Sequence, residues 1–99
     1  MSYTGLVPEE NYEFGDGTYD RLDRNGVSAW QVLQVLHGGE RARRHTGAVL
    51  QVAGTDQHGR WLMVSLIEGA IDDRYTVVSA RSLDDAEIDA VRRMRGETS

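Results

Sequence analysis

The chain has 99 residues, of which 39% are hydrophobic and 27% charged; it contains no cysteine, and its formal net charge at pH 7 is −5. These values are typical of one soluble globular domain rather than of a disordered chain. The lack of cysteine excludes disulfide bonds and thiolate metal sites, and the acidic net charge argues against broad, non-specific nucleic-acid binding. No apolar run approaches the roughly 20 residues of a membrane span and no secretory signal is visible, so we expect a cytoplasmic protein.

The N-terminal third predicts one weak strand and two helices. Residues 1–11 lack periodicity and contain the only proline, which indicates a loose N-terminal segment without regular secondary structure. Residues 12–14 resemble a short edge strand. GDGTYDRLDRNG is typical of a short helix, with Thr18 as the N-cap and Gly26 as the residue in left-handed conformation that ends it.

The segment GVSAWQVLQVLHGG carries the clearest helix signals in the chain. Ser28 and Gln31 have the spacing of a capping box, in which each side chain satisfies an amide of the first turn. The helix is expected to end at the glycine pair 38–39. Its predicted buried stripe consists of Ala29, Val32, Leu33 and Leu36. Trp30 and Trp61 are interpreted as core residues rather than as platforms for stacking bases.

The remainder of the chain predicts consecutive strands followed by a helix. ERARRHTG is interpreted as a basic connector or edge strand, AVLQVAG and RWLMVSLIE as two strands joined by the turn TDQHG, and RYTVVS as a further strand. Ser82 is the expected start of the last helix. Short loops favour an antiparallel meander of three to five strands, with two N-terminal helices and one C-terminal helix packed on it. We therefore expect a single α+β domain over residues 12–96.

Three of these segments together resemble the BrnT family of bacterial toxins. In that family a KHGVS turn leads into a capped helix, a GR-LVVV strand ends in TER, and an RIRIISAR strand precedes the last helix. The corresponding segments here are DRLDRNGVSAWQVLQVL, HGRWLMVSLIE and RYTVVSAR. The resemblance implies a RelE-like fold and metal-independent cleavage of RNA without a cofactor. It also implies a partner, a DNA-binding antitoxin that is expected to be a ribbon-helix-helix protein.

Carried over by position, the family's strand glutamate corresponds to Glu68 and its two strand arginines to Arg74 and Arg81. RNA cleavage without metal needs a base for the 2′-OH proton and cations for the charge that builds up on phosphorus. Glu68 is the candidate base, and Arg74 and Arg81 are the candidate phosphate-binding cations, because a guanidinium can bind two phosphate oxygens at once. We assign substrate binding to Arg24, Arg44 and Arg60.

Each candidate has a structural alternative. Glu68 and Arg74 could form a cross-strand ion pair, and Arg81 could pair with an acid of the last helix. Because an odd separation puts two residues of an unbroken strand on opposite faces, Arg74 and Arg81 converge only if the strand ends near Ser79.

The basic patch at residues 41–45 has three interpretations: a surface that tracks a phosphate backbone, a solvated edge, or a surface that meets an acidic face of the antitoxin. We favour the edge or the partner contact. His45 is the only histidine considered as an acid. Asn25 stands where histidine is common in the family, and the net charge is acidic where such nucleases are usually basic. These departures define the alternative function, a non-catalytic relative that acts as a protein-binding module.

Overall fold

A computed structural model describes residues 11–38, 41–69 and 74–94. The expected loose segment lies outside these residues except for Asn11, which begins the first strand. The elements in chain order are β1 (Asn11–Phe14), α1 (Thr18–Arg24), α2 (Ala29–Leu36), β2 (Arg41–Thr46), β3 (Val49–Thr55), β4 (Trp61–Glu68), β5 (Arg74–Ser82) and α3 (Asp85–Met94). The molecule is an α+β protein, as predicted.

The five strands form one mixed sheet in the order β1-β5-β4-β3-β2. Strands β2 to β5 make the predicted antiparallel meander. The expectation of a purely antiparallel sheet is wrong at its other end, because β1 runs parallel to β5. A tight turn forces neighbouring strands to be antiparallel, whereas most of the chain separates β1 from β5, so no local signal sets their direction.

Two apolar layers enclose the sheet. The face covered by α1 and α2 holds the larger core, and we call it the two-helix face. The opposite face, which we call the α3 face, holds a smaller cluster in which Leu83 and Val91 pack with Ala53. The larger core consists of Leu22, Val27, Val32, Val35, Leu36, Leu50, Val52, Leu62, Val64, Leu66, Val77 and Ala80.

Helix α1 takes the place of a strand along part of β5. Strand β1 pairs with β5 only as far as Val77. From Val77 onward, side chains of α1 and of its C-terminal cap donate hydrogen bonds to carbonyls of β5. Thr18 donates to Val77 (2.9 Å), Arg21 to Val78 (3.3 Å) and Asn25 to Ala80 (2.8 Å). Carbonyls left without a partner on folding are costly. These side chains therefore finish the edge that β1 is too short to cover.

Strand β5 contains a β-bulge. Ser79 lies opposite Ser65 of β4, but Val77 lies opposite Leu66, so Val78 is an additional residue with no counterpart on β4. The bulge reverses the alternation of side chains along β5. As a result Val77 and Ala80, three residues apart, both lie in the larger core.

The helix caps follow the sequence signals at α2 but not at α3. Both hydrogen bonds of the predicted Ser28–Gln31 capping box are present. At α3 the predicted start at Ser82 is wrong, because Asp84 caps the helix. Its Oδ1 accepts from the amide of Glu87 (2.8 Å), whose carboxylate accepts from the Asp84 amide (3.0 Å). Ser82 is instead the last residue of β5.

Further local expectations have mixed outcomes. The left-handed conformation of Gly26 (φ 70°) is confirmed, but Thr18 is the first residue of α1 and Gly17 is its cap. Trp30 is 68% exposed on the first turn of α2, so its core assignment is wrong. Trp61 packs against the smaller cluster and lies under the guanidinium of Arg92, 5.9 Å from the ring centroid.

Candidate functional site

Glu68, the candidate base, is the last residue of β4. Strand alternation puts it on the two-helix face with Leu66 and Val64. There its Oε1 lies 3.8 Å from Nε2 of His45, and its side chain is 59% exposed. Glu68 is therefore an exposed strand end rather than a buried carboxylate.

Arg74 and Arg81 are separated along β5. The bulge puts Arg74 and Arg81 on the same face of the sheet, the α3 face. The sequence predicted that this would require the strand to end near Ser79, but the strand continues to Ser82. They stand at opposite ends of the strand, about 20 Å apart at roughly 3.3 Å per residue.

Arg74 and Arg81 each have a different carboxylate partner. Nη1 of Arg74 lies 3.6 Å from Oε2 of Glu13. Arg81 makes a bidentate pair with Glu87, through bonds of 2.9 and 2.7 Å. The alternative that Arg81 pairs with an acid of the last helix is confirmed, whereas Arg74 pairs with Glu13 rather than Glu68.

The structure thus does not bring Glu68, Arg74 and Arg81 together. Glu68 and Arg74 lie at the same end of the sheet but on opposite faces, and Arg81 lies at the far end. A base for the 2′-OH proton and cations on the same phosphate must all lie within hydrogen-bond reach of one nucleotide. These three side chains do not meet that requirement.

The predicted substrate-binding arginines have separate positions. Arg24 is exposed in the last turn of α1. Arg60 is half-buried and joins three segments: Nη1 donates to the carbonyl of Gly26 (3.0 Å), while Nε (2.9 Å) and Nη2 donate to the hydroxyl of Ser82. Arg60 is therefore a structural bridge. Arg44 is exposed on β2.

Strand β2 is an edge of the sheet that the described residues form, and it carries the whole basic patch. Arg43, Arg44 and His45 are exposed. Nε of Arg44 donates to Oε1 of Gln51 (3.0 Å), which fixes the guanidinium over the α3 face. Cations on an edge strand oppose pairing with a second copy of the same strand, and they attract an acidic one.

A two-residue loop joins β2 to β3, with Thr46 opposite Val49. In such a hairpin the residues that flank the loop form a hydrogen-bonded pair, and the pattern then alternates along the strands. The amide and carbonyl groups of Arg41, Arg43 and His45 accordingly point to the outer side of β2. The described residues contain no strand on that side.

A cleft of about 120 Å³ opens between β2 and α3. It arises from a row of facing residues across four strands: Ala42, Ala53, Met63 and Arg81. At the Arg81 end of the row the pair with Glu87 holds α3 to the sheet. At the other end the side chains are small, so the helix leaves a gap. The lining residues are Ala42, Arg43, Arg44, Gln51, Ala53, Met63, Glu87, Ala90, Val91 and Met94.

The charges beside the cleft are fixed by hydrogen bonds. The bond from Arg81 and the amide of Asp84 lower the pKa of Glu87 to about 2. The same bond raises the pKa of Arg81. Both groups are therefore ionised at neutral pH and occupied with one another. Arg43 and Arg44 also line the cleft, and the guanidinium of Arg44 donates to Gln51.

Asp56 organises the hairpin between β3 and β4. Burial opposes its ionisation, but hydrogen bonds from the Gln31 side chain and from the amides of Arg60 and His58 outweigh this and lower its pKa. Asp56 as a whole residue is 5% exposed. The Asp56 carboxylate stabilises the turn from which Arg60 reaches Gly26 and Ser82.

Sequence reasoning identified β2 but missed the cleft. The available signal is the pair of alanines at 42 and 53, the small residues of a cross-strand row whose other members are Met63 and Arg81. Recognising it requires the strand register and the position of α3, neither of which is a local property of the sequence. The structural role of Asn25 was missed for the same reason.

Among the residues that the structure describes, no three acidic or histidine side chains are grouped closely enough to hold a metal ion. Within the same residues no helix combines the length and apolarity that crossing a bilayer requires. A scan of the sequence against protein-family models gives no match, and a search of curated proteins gives no significant match.

Proposed function

We propose that this domain is a non-catalytic relative of the BrnT toxins, a protein-binding module that captures an acidic segment of a partner on β2. The observation that carries the proposal is the charge of this edge. Four of the six β2 residues are arginine or histidine, in a chain with a net charge of −5. A local cationic strip in an acidic protein favours an acidic partner over a nucleic acid, whose phosphates the remaining surface repels.

The resemblance supplies the kind of partner and the RelE-like arrangement that go with this function. The partner is a DNA-binding antitoxin, for which we expect a ribbon-helix-helix protein with an acidic segment outside its DNA-binding region. The separation of Glu68, Arg74 and Arg81 supports the non-catalytic branch of the proposal. Asn25 supports it as well, because its side chain completes the edge of β5 instead of carrying a proton.

A displayed library of random twelve-residue peptides tests the binding function. Selection on the purified protein should enrich sequences with several carboxylates, and raising the salt concentration from 50 to 200 mM should weaken their binding. Arg44→Glu should weaken binding at least tenfold, because it replaces attraction by repulsion. Arg93→Glu, which reverses the charge of an exposed arginine on α3, is the matched control and should leave Kd within twofold. Enrichment without acidic bias, or equal effects of both substitutions, would overturn the proposal.

A parallel incubation with RNA decides between the module and the nuclease. We expect single-stranded RNA to remain intact with the purified wild-type protein in the presence of a chelator. Cleavage that disappears in both Glu68→Gln and Arg81→Ala would instead establish the endoribonuclease hypothesis. The two substitutions lie on opposite faces of the sheet, so one local disturbance does not explain a loss in both.

A further inference from the structure

We infer that the cleft between β2 and α3 binds the C-terminal residue of the partner's acidic segment. The aliphatic side chain of that residue lies among the apolar lining of the cleft, and its terminal carboxylate accepts hydrogen bonds from Arg44 and Gln51. This inference rests on the proposed function and specifies which part of the segment is recognised.

Arg44 and Gln51 are a cross-strand pair of β2 and β3, and both line the cleft. Nε of Arg44 donates to Oε1 of Gln51 (3.0 Å). This bond orients the two side chains, and it involves neither Nη group of Arg44 nor the amide nitrogen of Gln51. The two Nη groups of a guanidinium donate in parallel to the two oxygens of a carboxylate. The pair therefore provides a carboxylate site, to which the Gln51 amide contributes a further donor.

The rest of the cleft accepts an aliphatic group. Its other lining residues are mainly alanine, valine and methionine. An apolar cavity of roughly 150 Å³ holds a benzene molecule, so a cleft of about 120 Å³ has room for one aliphatic side chain. Methionines such as Met63 and Met94 adapt their shape to an inserted group. Met94 is 56% exposed, and a bound side chain would cover part of it.

Glu87 is the acidic residue of the described lining, and its charge is balanced. Its carboxylate makes a bidentate pair with Arg81, through bonds of 2.9 and 2.7 Å. A carboxylate bound at Arg44 therefore meets no unpaired anion among the described lining residues.

The closeness of the two parts of the cleft selects a terminal residue. Because Arg44 and Gln51 belong to the wall of the cleft, the carboxylate and the aliphatic group must belong to one compact unit. A C-terminal leucine or valine carries both groups on the same Cα. Within an extended chain, by contrast, the next side chain points to the opposite face and the one after it lies roughly 7 Å away.

The surroundings of the cleft favour a peptide end over a free short-chain acid. The cleft lies beside β2, four of whose six residues are arginine or histidine. Further carboxylates of an acidic segment are attracted to this strand, whereas a free acid has none to offer. This charge complementarity selects the partner's acidic segment as the occupant.

The first test compares a free with a blocked terminus. The probe is a peptide of three glycine-serine-aspartate repeats followed by leucine, with a fluorescent label at its N-terminus, and anisotropy gives its Kd. Amidation of the C-terminus should weaken binding to the wild-type protein at least tenfold. Arg44→Lys keeps the charge of β2 but removes the planar fork of the guanidinium, so amidation should weaken binding less than threefold in this variant.

Arg24→Lys is the matched control, because Arg24 is an exposed arginine of α1. It should keep the tenfold preference for the free terminus. Equal Kd values for the acid and the amide with the wild-type protein would refute the carboxylate site. The same preference in Arg44→Lys as in the wild type would refute it as well.

The second test fills the cleft from α3. Ala90→Trp puts a large side chain at an exposed position that lines the cleft, and Ala86→Trp puts the same side chain at an exposed position outside it. The wild-type protein should bind the peptide that ends in leucine at least tenfold more tightly than one that ends in alanine. This preference should disappear in Ala90→Trp and persist in Ala86→Trp. An equal preference in the two variants would refute the aliphatic site.

A measurement on the wild-type protein makes the inference testable even if a variant fails to fold. On adding the peptide, the methyl NMR signals of Met63 and Met94 should shift, since both residues line the cleft. Unchanged signals would refute binding in the cleft. N-acetylleucine, a small free carboxylate, should bind at least tenfold more weakly than the peptide. Equal affinity would refute the peptide as the occupant.

The failure of this inference differs from the failure of the proposed function. If acidic peptides bind and Arg44→Glu weakens them, but neither the terminal carboxylate nor the terminal side chain matters, only the recognition of the terminal residue is wrong. If no acidic peptide binds, the proposed function fails as well.

Discussion

At the scale of single residues, most of the arginines first interpreted as phosphate ligands have structural partners. Arg81 is held by Glu87, Arg74 lies beside Glu13, and Arg60 bridges Gly26 and Ser82. Glu13 and Arg74 are far apart in sequence, and the sheet register alone brings them together. A residue type and its local spacing therefore identify a cation but not its partner.

The pair between Glu87 and Arg81 predicts a specific dependence of stability on pH. The pKa of Glu87 is lowered from 4.5 to about 2 in the folded protein. A carboxylate whose pKa is lowered by folding stabilises the folded state above its unfolded pKa, and this contribution is lost as the pH falls toward the folded value. Wild type should therefore exceed Glu87→Gln in Tm by a constant amount above about pH 4.5. That difference should shrink to nearly zero by pH 2.

Thermal unfolding followed by circular dichroism from pH 6 to pH 2 measures this difference. Asp89→Asn is the matched control, because Asp89 is an exposed acid of the same helix. Its Tm should stay close to that of wild type throughout the range. A gap between wild type and Glu87→Gln that persists unchanged at pH 2 would show that the carboxylate charge does not stabilise α3.

At the scale of elements, the structure confirms the signals that are complete within one segment. The Ser28 capping box lies within four residues, and it formed as predicted. At α3 both Ser82 and Asp84 satisfy the local preference for an N-cap residue. The strand continues through Ser82 because its partner Leu62 extends the ladder that far. The choice between the two caps thus depends on β4. A rule that considers only the residues around the helix start does not take β4 into account.

The corrected cap predicts different outcomes for the two residues. Asp84→Ala removes the acceptor for the Glu87 amide and should lower the free energy of unfolding by about 1 kcal/mol. Ser82→Ala removes only an exposed contact with Arg60, so its effect should be smaller, within about 0.5 kcal/mol. Urea unfolding of both variants measures the difference. A larger loss for Ser82→Ala would return the cap to the position first predicted.

At the scale of the whole molecule, the sheet has helices on both faces and unequal protection of its edges. Most of the outer edge of β5 has hydrogen-bond partners, in β1 and in side chains of Arg21 and Asn25. At the other edge of the sheet, no described strand pairs with the outer side of β2. The basic side chains of β2 oppose pairing of this edge with another copy of itself. The strand order and the bulge decide which side chains share a surface. Both are long-range features, so the sequence predicted the α+β class and the basic strand but not a common site.

This unequal protection predicts that the charges of β2 keep copies of the protein apart. The double substitution Arg43→Val and Arg44→Val would leave a more β-branched edge with Arg41 and His45 as its remaining basic residues. A less charged edge beside an apolar cleft promotes edge-to-edge pairing. We expect this variant to self-associate more than wild type as its concentration rises in sedimentation experiments. The control pair Arg24→Val and Arg93→Val removes the same charge from helices and should sediment as wild type does. If both pairs associate equally, net charge rather than the cationic edge keeps copies of the protein apart.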